Sequence, residues 1–164
     1  MLRPALIFLT AFTLSSPTFA ADSLDQLVRN AAALKLNLFG NELLKPEQAF
    51  EFSANVKNDH TLYVSWEIAP NYYLYREKIK LELIDAKGVK LGNFTIPKGL
   101  PKHDEAFGNV EIFSCDLNFS VPLIRESNAA QTITLRASFQ GCAERGVCYP
   151  PMKKEIVLEL PISK

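Results

Sequence analysis

The sequence predicts an all-β domain, an antiparallel β-sandwich, on three observations. Apolar and polar residues alternate with period two from Pro46 onward, turn residues break that alternation at short intervals, and no helical periodicity separates the runs.

The chain opens differently. Arg3 precedes an apolar run from Ala5 to Leu14, followed by Ser15, Ser16 and Pro17 and then Thr18-Phe19-Ala20. A charged start, a short apolar stretch and small residues before a cut after Ala20 read as a secretory signal over residues 1–20. About ten apolar residues fall short of the roughly 20 that cross a bilayer as a helix. In the segment 21–43, Leu24, Leu27, Val28, Ala31 and Leu34 share one helical face, and Ser23 with Gln26 forms a capping box. A short helix from Ser23 to about Lys35 is expected there.

The remainder, 44–164, reads as one β domain. Phe50, Phe52, Ala54 and Val56 alternate with Glu51, Ser53, Asn55 and Lys57. After a turn at Lys57-Asn58-Asp59-His60, Leu62, Val64, Trp66 and Ile68 alternate with Tyr63, Ser65 and Glu67. This is a hairpin with one buried face. Ile79, Leu81 and Leu83 precede the turn Asp85-Ala86-Lys87-Gly88, and a strand from Val89 to Ile96 follows, its parity broken at Gly92-Asn93 by an expected bulge. Phe113, Cys115, Leu117, Phe119 and Val121 form a further run, as do Ile133, Leu135, Ala137 and Phe139, and then Ile156, Leu158 and Leu160. Short strands joined by turns in this number point to an immunoglobulin-like sandwich.

Three segments break the pattern. Ala69 to Tyr75 carries three tyrosines, Pro97 to Gly108 reads as a polar loop, and Gly141 to Pro151 interrupts two good strands. Loops on a rigid sandwich are where function usually sits.

Charge and composition narrow the function. The 18 Lys and Arg balance the 18 Asp and Glu, and cleavage of the leader removes one cation, Arg3. A near-neutral chain with no basic cluster is a poor match for nucleic acid or an anionic membrane surface. No Ser-Gly elbow or paired carboxylates suggest a hydrolase. Cys148 and Met152 sit four apart, but His60 and His103 both precede them, so a blue-copper ligand order fails, and no CxxC spacing supports zinc. Neither a metal nor a cofactor is expected.

Three cysteines permit one internal disulfide and leave one thiol. Spacing favours Cys142 with Cys148, which enclose Ala143-Glu144-Arg145-Gly146-Val147. So small a ring stabilises by only about 2.4 kcal/mol in the chain-entropy picture. Gly141 and Gly146 free the turn and Tyr149-Pro150-Pro151 stiffens its exit, so the pair is expected at a loop. On spacing alone, a redox pair and the structural disulfide of a non-catalytic exported binding or chaperone-like module fit equally well. Cys115 shares parity with Phe113, Leu117 and Phe119 and is expected to face the core as an inert thiol.

The stretch FQGCAERGVCYPP, residues 139 to 151, closely resembles the active-site loop of the N-terminal domain of the thiol:disulfide interchange protein DsbD, in which five residues separate two cysteines before Tyr-Pro-Pro. NYYLYREKI, Asn71 to Ile79, resembles that family's tyrosine-rich segment, and HDEAFGNVEIF, His103 to Phe113, resembles the cap loop over its disulfide. With LKPEQAFEF near residue 50, the likeness runs from about Leu44 to the C-terminus. One departure is Ala106, where the family commonly has an aromatic; Phe107 follows it.

The resemblance implies a periplasmic protein-disulfide reductase, tethered to the inner membrane in the full-length family protein. Two electrons would come from the C-terminal thioredoxin-like domain of DsbD and open Cys142–Cys148. The dithiol would then reduce the isomerases DsbC and DsbG and the cytochrome c maturation thioredoxin CcmG. It also implies that Cys148 forms the intermolecular bond and Cys142 resolves it. Supporting roles are expected for Tyr73, Tyr75 and Tyr149 beside the sulfurs, for Asp104 and Glu105 in proton transfer, and for Phe107 as shield. Plain packing of the tyrosines and solvation of the two carboxylates are the alternatives. Arg145, inside the ring, either lowers a thiol pKa or points into water.

Overall fold

A computed structural model describes residues 42–163. The expected leader over 1–20 and the expected helix from Ser23 to Lys35 lie outside the described residues. The described chain begins with a one-turn helix, α1 (Pro46–Ala49), and runs through β1 (Phe50–Asn58), β2 (Thr61–Ile68), β3 (Tyr72–Tyr75) and a 3-10 turn (Arg76–Lys78). Then come β4 (Lys80–Ile84), β5 (Val89–Leu91), β6 (Leu100–Asp104), β7 (Gly108–Phe113), β8 (Leu117–Arg125) and β9 (Gln131–Phe139). The last three are β10 (Gly141–Ala143), β11 (Val147–Cys148) and β12 (Met152–Leu160).

Every strand pairing is antiparallel. One sheet has the order β1-β2-β8-β5, a second β12-β9-β4, and a third β11-β10-β3-β7-β6. The period-two alternation becomes alternating burial, as in β2, where Leu62, Val64, Trp66 and Ile68 are buried. The β1-β2 hairpin turns at the predicted place, with the Asn58 side chain accepting the His60 backbone N–H. Trp66 lies 6.1 Å from Phe119 in its own sheet and 5.9 Å from Phe139 of β9. These aromatic contacts join the first two sheets through the core, giving the predicted immunoglobulin-like sandwich. No helix among the described residues is long and apolar enough to cross a membrane.

The structure corrects three details. The strand expected from Val89 to Ile96 ends at Leu91, and residues 92–99 are irregular. Phe94 and Ile96 still pack on the core, but the carbonyls of Ile96 and Pro97 accept from the Arg76 guanidinium, and Pro97 has no N–H to extend a ladder. Alternation there reports burial without strand pairing. The expected polar loop from Pro97 to Gly108 instead contains strand β6, which pairs with β7 in a hairpin turning at residues 105–107. Its residues are largely exposed, so no alternation betrays it.

Cys115 is exposed, against the parity expectation. The run from Phe113 to Val121 is two strands. β7 ends at Phe113 in the sheet that holds β3, the chain bends at Ser114 and Cys115, and β8 starts at Leu117 beside β2 in another sheet. A parity count does not survive a crossing between sheets.

Candidate functional site

β3 is buried along its whole length because both of its faces are covered. Tyr72 and Leu74 join the main core, while Tyr73 and Tyr75 turn the other way into a small cluster with Ile112, Cys142 and the half-buried Val110. β10 lies on one side of β3, with Cys142 opposite Tyr73, and β7 on the other. So close an approach needs Gly141. A Cβ there would collide with the Tyr73 carbonyl oxygen and the Phe50 ring.

Cys142 and Cys148 face each other across the β10-β11 pair, their Cα atoms 3.9 Å apart, and are joined in a disulfide. The turn between them closes through Gly146 N–H donating to the Ala143 carbonyl, with Gly146 at φ +86°. A second bond, from Glu144 N–H to the Asn71 carbonyl, ties this turn to the start of β3. The two sulfurs have unlike surroundings: Cys142 is fully buried and Cys148 is exposed.

Behind the buried sulfur stands a hydroxyl–carboxylate chain. The Tyr75 hydroxyl oxygen is 3.1 Å from Cys142 Sγ and 3.8 Å from Cys148 Sγ, and the hydroxyl donates to Asp104 Oδ2 at 2.6 Å. Tyr73 donates more weakly to the same oxygen at 3.4 Å. Asp104 Oδ1 meanwhile accepts the backbone N–H groups of Ala106 and Phe107, at 2.9 and 3.1 Å. Asp104 therefore shapes the β6-β7 turn and anchors the tyrosines at once. The Tyr75 hydrogen bond, reinforced by those two backbone N–H groups, holds the Asp104 carboxyl below its ordinary range despite partial desolvation. Burial, then the bond to Asp104, pushes the Tyr75 phenol far above its ordinary value, so it stays neutral.

Phe107 packs edge-on against Tyr75 with ring centroids 5.1 Å apart and is 41% exposed. Over its ring sits Lys78 Nζ, 4.3 Å from the centroid, while Lys102 Nζ lies 4.8 Å from the Tyr73 centroid. The structure thus brings together Cys142, Cys148, Tyr73, Tyr75, Asp104 and Phe107 of the expected residues. Glu105 is exposed in the turn and is not bonded to this cluster. Tyr149 lies on the main-core side. Its ring packs on Phe50 at 5.6 Å, its hydroxyl donates to the Leu44 carbonyl, and burial pushes its phenol up to about 12. Arg145 is exposed in the ring, and its charge acts on Tyr149. Sequence reasoning passed over Lys78, Lys102 and Ile112. An isolated lysine beside a strand carries no signal that separates it from a solvated charge.

No group of three or more His, Cys, Asp or Glu among the described residues is arranged to hold a metal ion. The family described as thiol:disulfide interchange protein DsbD, N-terminal, matches residues 40–160. The DsbD of Yersinia pestis (strain Pestoides F) is 41% identical over 117 residues, which is 71% of this chain and 18% of that protein. The DsbD of Colwellia psychrerythraea is 38% identical over 158 residues, 96% of this chain and 24% of that protein. The chain therefore spans only a small part of these relatives. Among solved structures, the Neisseria meningitidis DsbD N-terminal domain in its reduced form is similar, with a TM-score of 0.59 and 34% identity over 71% of this chain and 90% of that one. The complex of the Neisseria DsbD and PilB N-terminal domains gives a TM-score of 0.57 at 34% identity, covering 71% and 88%. The family match over residues 40–160 and the likeness to a solved domain at 34% identity agree, and the chain belongs to the family of DsbD N-terminal domains.

Proposed function

We propose that this domain is a periplasmic thiol–disulfide exchange module, cycling Cys142 and Cys148 between disulfide and dithiol. The observation that carries this reading is the asymmetry of the pair, one sulfur buried against Tyr75 and the other exposed. Exchange requires a thiolate to reach one sulfur while the other leaves. Cys148 offers the accessible sulfur, and Cys142 is the group whose departure the interior can manage.

In the loading half, a thiolate of the donor attacks Cys148 Sγ, the Cys142–Cys148 bond breaks, and its electron pair leaves on Cys142 Sγ. The Tyr75 hydroxyl, whose proton otherwise serves Asp104, turns toward the new thiolate until Cys142 takes up a proton. The donor's second thiolate then attacks the donor sulfur of the mixed disulfide and releases Cys148 as a thiolate, so two electrons and, at Cys142, one proton have entered the pair. In the unloading half, the Cys148 thiolate attacks an acceptor disulfide and Cys142 resolves the adduct. With Cys142 protonated, the chain from Sγ–H through the Tyr75 hydroxyl to ionised Asp104 favours a thiol at Cys142, which leaves Cys148 as the attacking thiolate.

By kinship, the donor is the C-terminal thioredoxin-like domain of DsbD, and the acceptors are DsbC, DsbG and CcmG-like thioredoxin-fold proteins. A relative solved in reduced form, and the same relative bound to a PilB domain, support a pair that opens and engages a protein.

The test is to mix the oxidised protein with a reduced thioredoxin-like donor and follow adducts by mass spectrometry. A Cys148-linked adduct should form and resolve to the dithiol. Offered an oxidised thioredoxin-like acceptor instead, Cys142→Ala should accumulate a Cys148-linked adduct as the acceptor disulfide opens, and Cys148→Ala should form none while keeping the fold. Turnover by Cys148→Ala, or a pair with a potential far below about −300 mV that no donor opens, overturns the reading.

A further inference from the structure

Among the described residues other than glycine, Asn71 and Asp85 hold a positive φ, at 67° and 54°. Such a backbone is uncommon and persists only where its surroundings fix it. Asp85 lies in the turn between β4 and β5, strands of sheets that do not contain the disulfide. Asn71 stands immediately before β3, the strand that β10 and Cys142 pair with.

The local sequence accounts for Asn71. Pro70 precedes it with φ preset by its ring, and Tyr72 N–H donates to the Ala69 carbonyl at 3.1 Å, closing a four-residue turn. Proline followed by a residue at positive φ is the pattern of a type II turn, whose second central position favours glycine or asparagine. The turn aims the Asn71 carbonyl at Glu144, whose N–H donates to it at 2.8 Å, one residue past the Ala143–Tyr72 pairing. Asn71 is itself exposed, so a substitution there empties no core site.

The place of Cys148 depends on this bond. β11 is an edge strand of two residues, next to β10 alone. Backbone bonds hold its loop at three points: Glu144 N–H on Asn71, Gly146 N–H on Ala143, and Tyr149 N–H on Gly141. The first of these reaches beyond β10 to the start of β3. When the S–S bond opens, a loop held still keeps each thiol at a high effective concentration beside the other. That favours the disulfide and makes the dithiol a stronger reductant.

We propose that Asn71 is a positioning residue for exchange: its left-handed backbone anchors the Cys142–Cys148 loop to the start of β3 and so sets how strongly the dithiol reduces its partners. The inference rests on the exchange reading and adds what sets its driving force.

The measurement equilibrates the full chain with dithiothreitol and its cyclic disulfide over a wide range of ratios. Two electrons, with the protons of the two reagent thiols, pass to the pair as the reagent closes into its ring. Alkylation and mass spectrometry then count one thiol in the oxidised chain, Cys115, and three in the reduced chain. Asn71→Val, whose branched side chain resists positive φ, should shift the equilibrium about three- to tenfold toward the dithiol, the worth of one backbone hydrogen bond. Tenfold corresponds to about 30 mV. Asn71→Gly, which keeps the left-handed backbone, should stay within about twofold of wild type. Asp85→Val places the same strain in a turn outside the disulfide's sheet and should also stay within about twofold. If Asn71→Val does not fold, Asn71→Ala should move the equilibrium the same way by about two- to threefold. A wild-type equilibrium in the valine or alanine variant of Asn71, a glycine variant shifted as far, or an equal shift in Asp85→Val overturns the anchor and leaves the exchange reading intact. A disulfide that no mixture opens in any of the proteins defeats both.

Discussion

The two faces of β3 behave as different materials. Tyr72 and Leu74 point into a core of carbon packed between sheets, where Trp66, Phe119 and Phe139 meet at ring distances of about 6 Å. Tyr73 and Tyr75, one residue out of step, point into a small cluster that contains a sulfur, two phenols and the edge of a carboxylate. One strand thus holds the fold on one side and the chemistry on the other. Polar groups and a reactive bond are concentrated in the smaller cluster, and the larger core is left free to be apolar.

The sharpest way to break this contrast is a pair of substitutions. Trp66→Ala empties a fully buried site and should cost about 3–5 kcal/mol by denaturant unfolding. Exchange should remain in whatever fraction stays folded. Tyr75→Phe keeps the ring and removes the hydroxyl that touches Asp104 and Cys142. Stability should move by only about 1 kcal/mol while the exchange rate falls about tenfold, the equivalent of one hydrogen bond of about 1.4 kcal/mol. Tyr75→Phe unfolding like Trp66→Ala, with exchange in the folded fraction untouched, would dissolve the division of labour.

A smaller effect separates the faces by pH. Asp104 titrates lower in the folded chain than its ordinary 3.8, chiefly because Tyr75 donates to its charged form. Such a group contributes stability that is fully present above the unfolded carboxylate range and is lost as pH falls through the depressed folded value. Between pH 6 and 2, wild type should therefore lose more stability than Asp104→Asn, with the curves diverging below about pH 4. At the other extreme Tyr75 and Tyr149 are raised above the ordinary phenol value of 10.0, so stability should decline as pH climbs past it. Parallel acid limbs in the two proteins would show that the Tyr75–Asp104 bond adds nothing to folding.

How much of this was legible in the sequence follows the same division. The main core could be read because one buried face leaves a period-two record, as in Leu62, Val64, Trp66 and Ile68. The second cluster left no such record, since β3 is buried on both faces and reads as an aromatic knot, while β6 is an exposed edge strand of Leu-Pro-Lys-His-Asp. Cys142 and Cys148 were marked as a pair by their spacing, while the redox role of that pair and the places of Tyr75, Asp104 and Phe107 were brought to notice by family likeness. The geometry joining them depends on pairings between strands far apart in the chain. Lys78 and Lys102 escaped both routes, because their partners are rings on other elements.

Cys115 shows where the alternation rule stops and gives the smallest of the expected effects. Its parity with Phe113 and Leu117 holds on paper, yet the chain changes sheets between those residues, and the bend that makes the crossing turns the side chain out to solvent. An exposed thiol in an oxidised, folded domain should react with a maleimide at the rate of a small-molecule thiol, giving one label per chain while Cys142 and Cys148 remain bonded. Cys115→Ser should shift stability by less than about 0.5 kcal/mol, as expected of a surface position. Slow labelling, or a cost of several kcal/mol typical of a core site, would restore the parity reading and place the crossing between sheets elsewhere in the chain.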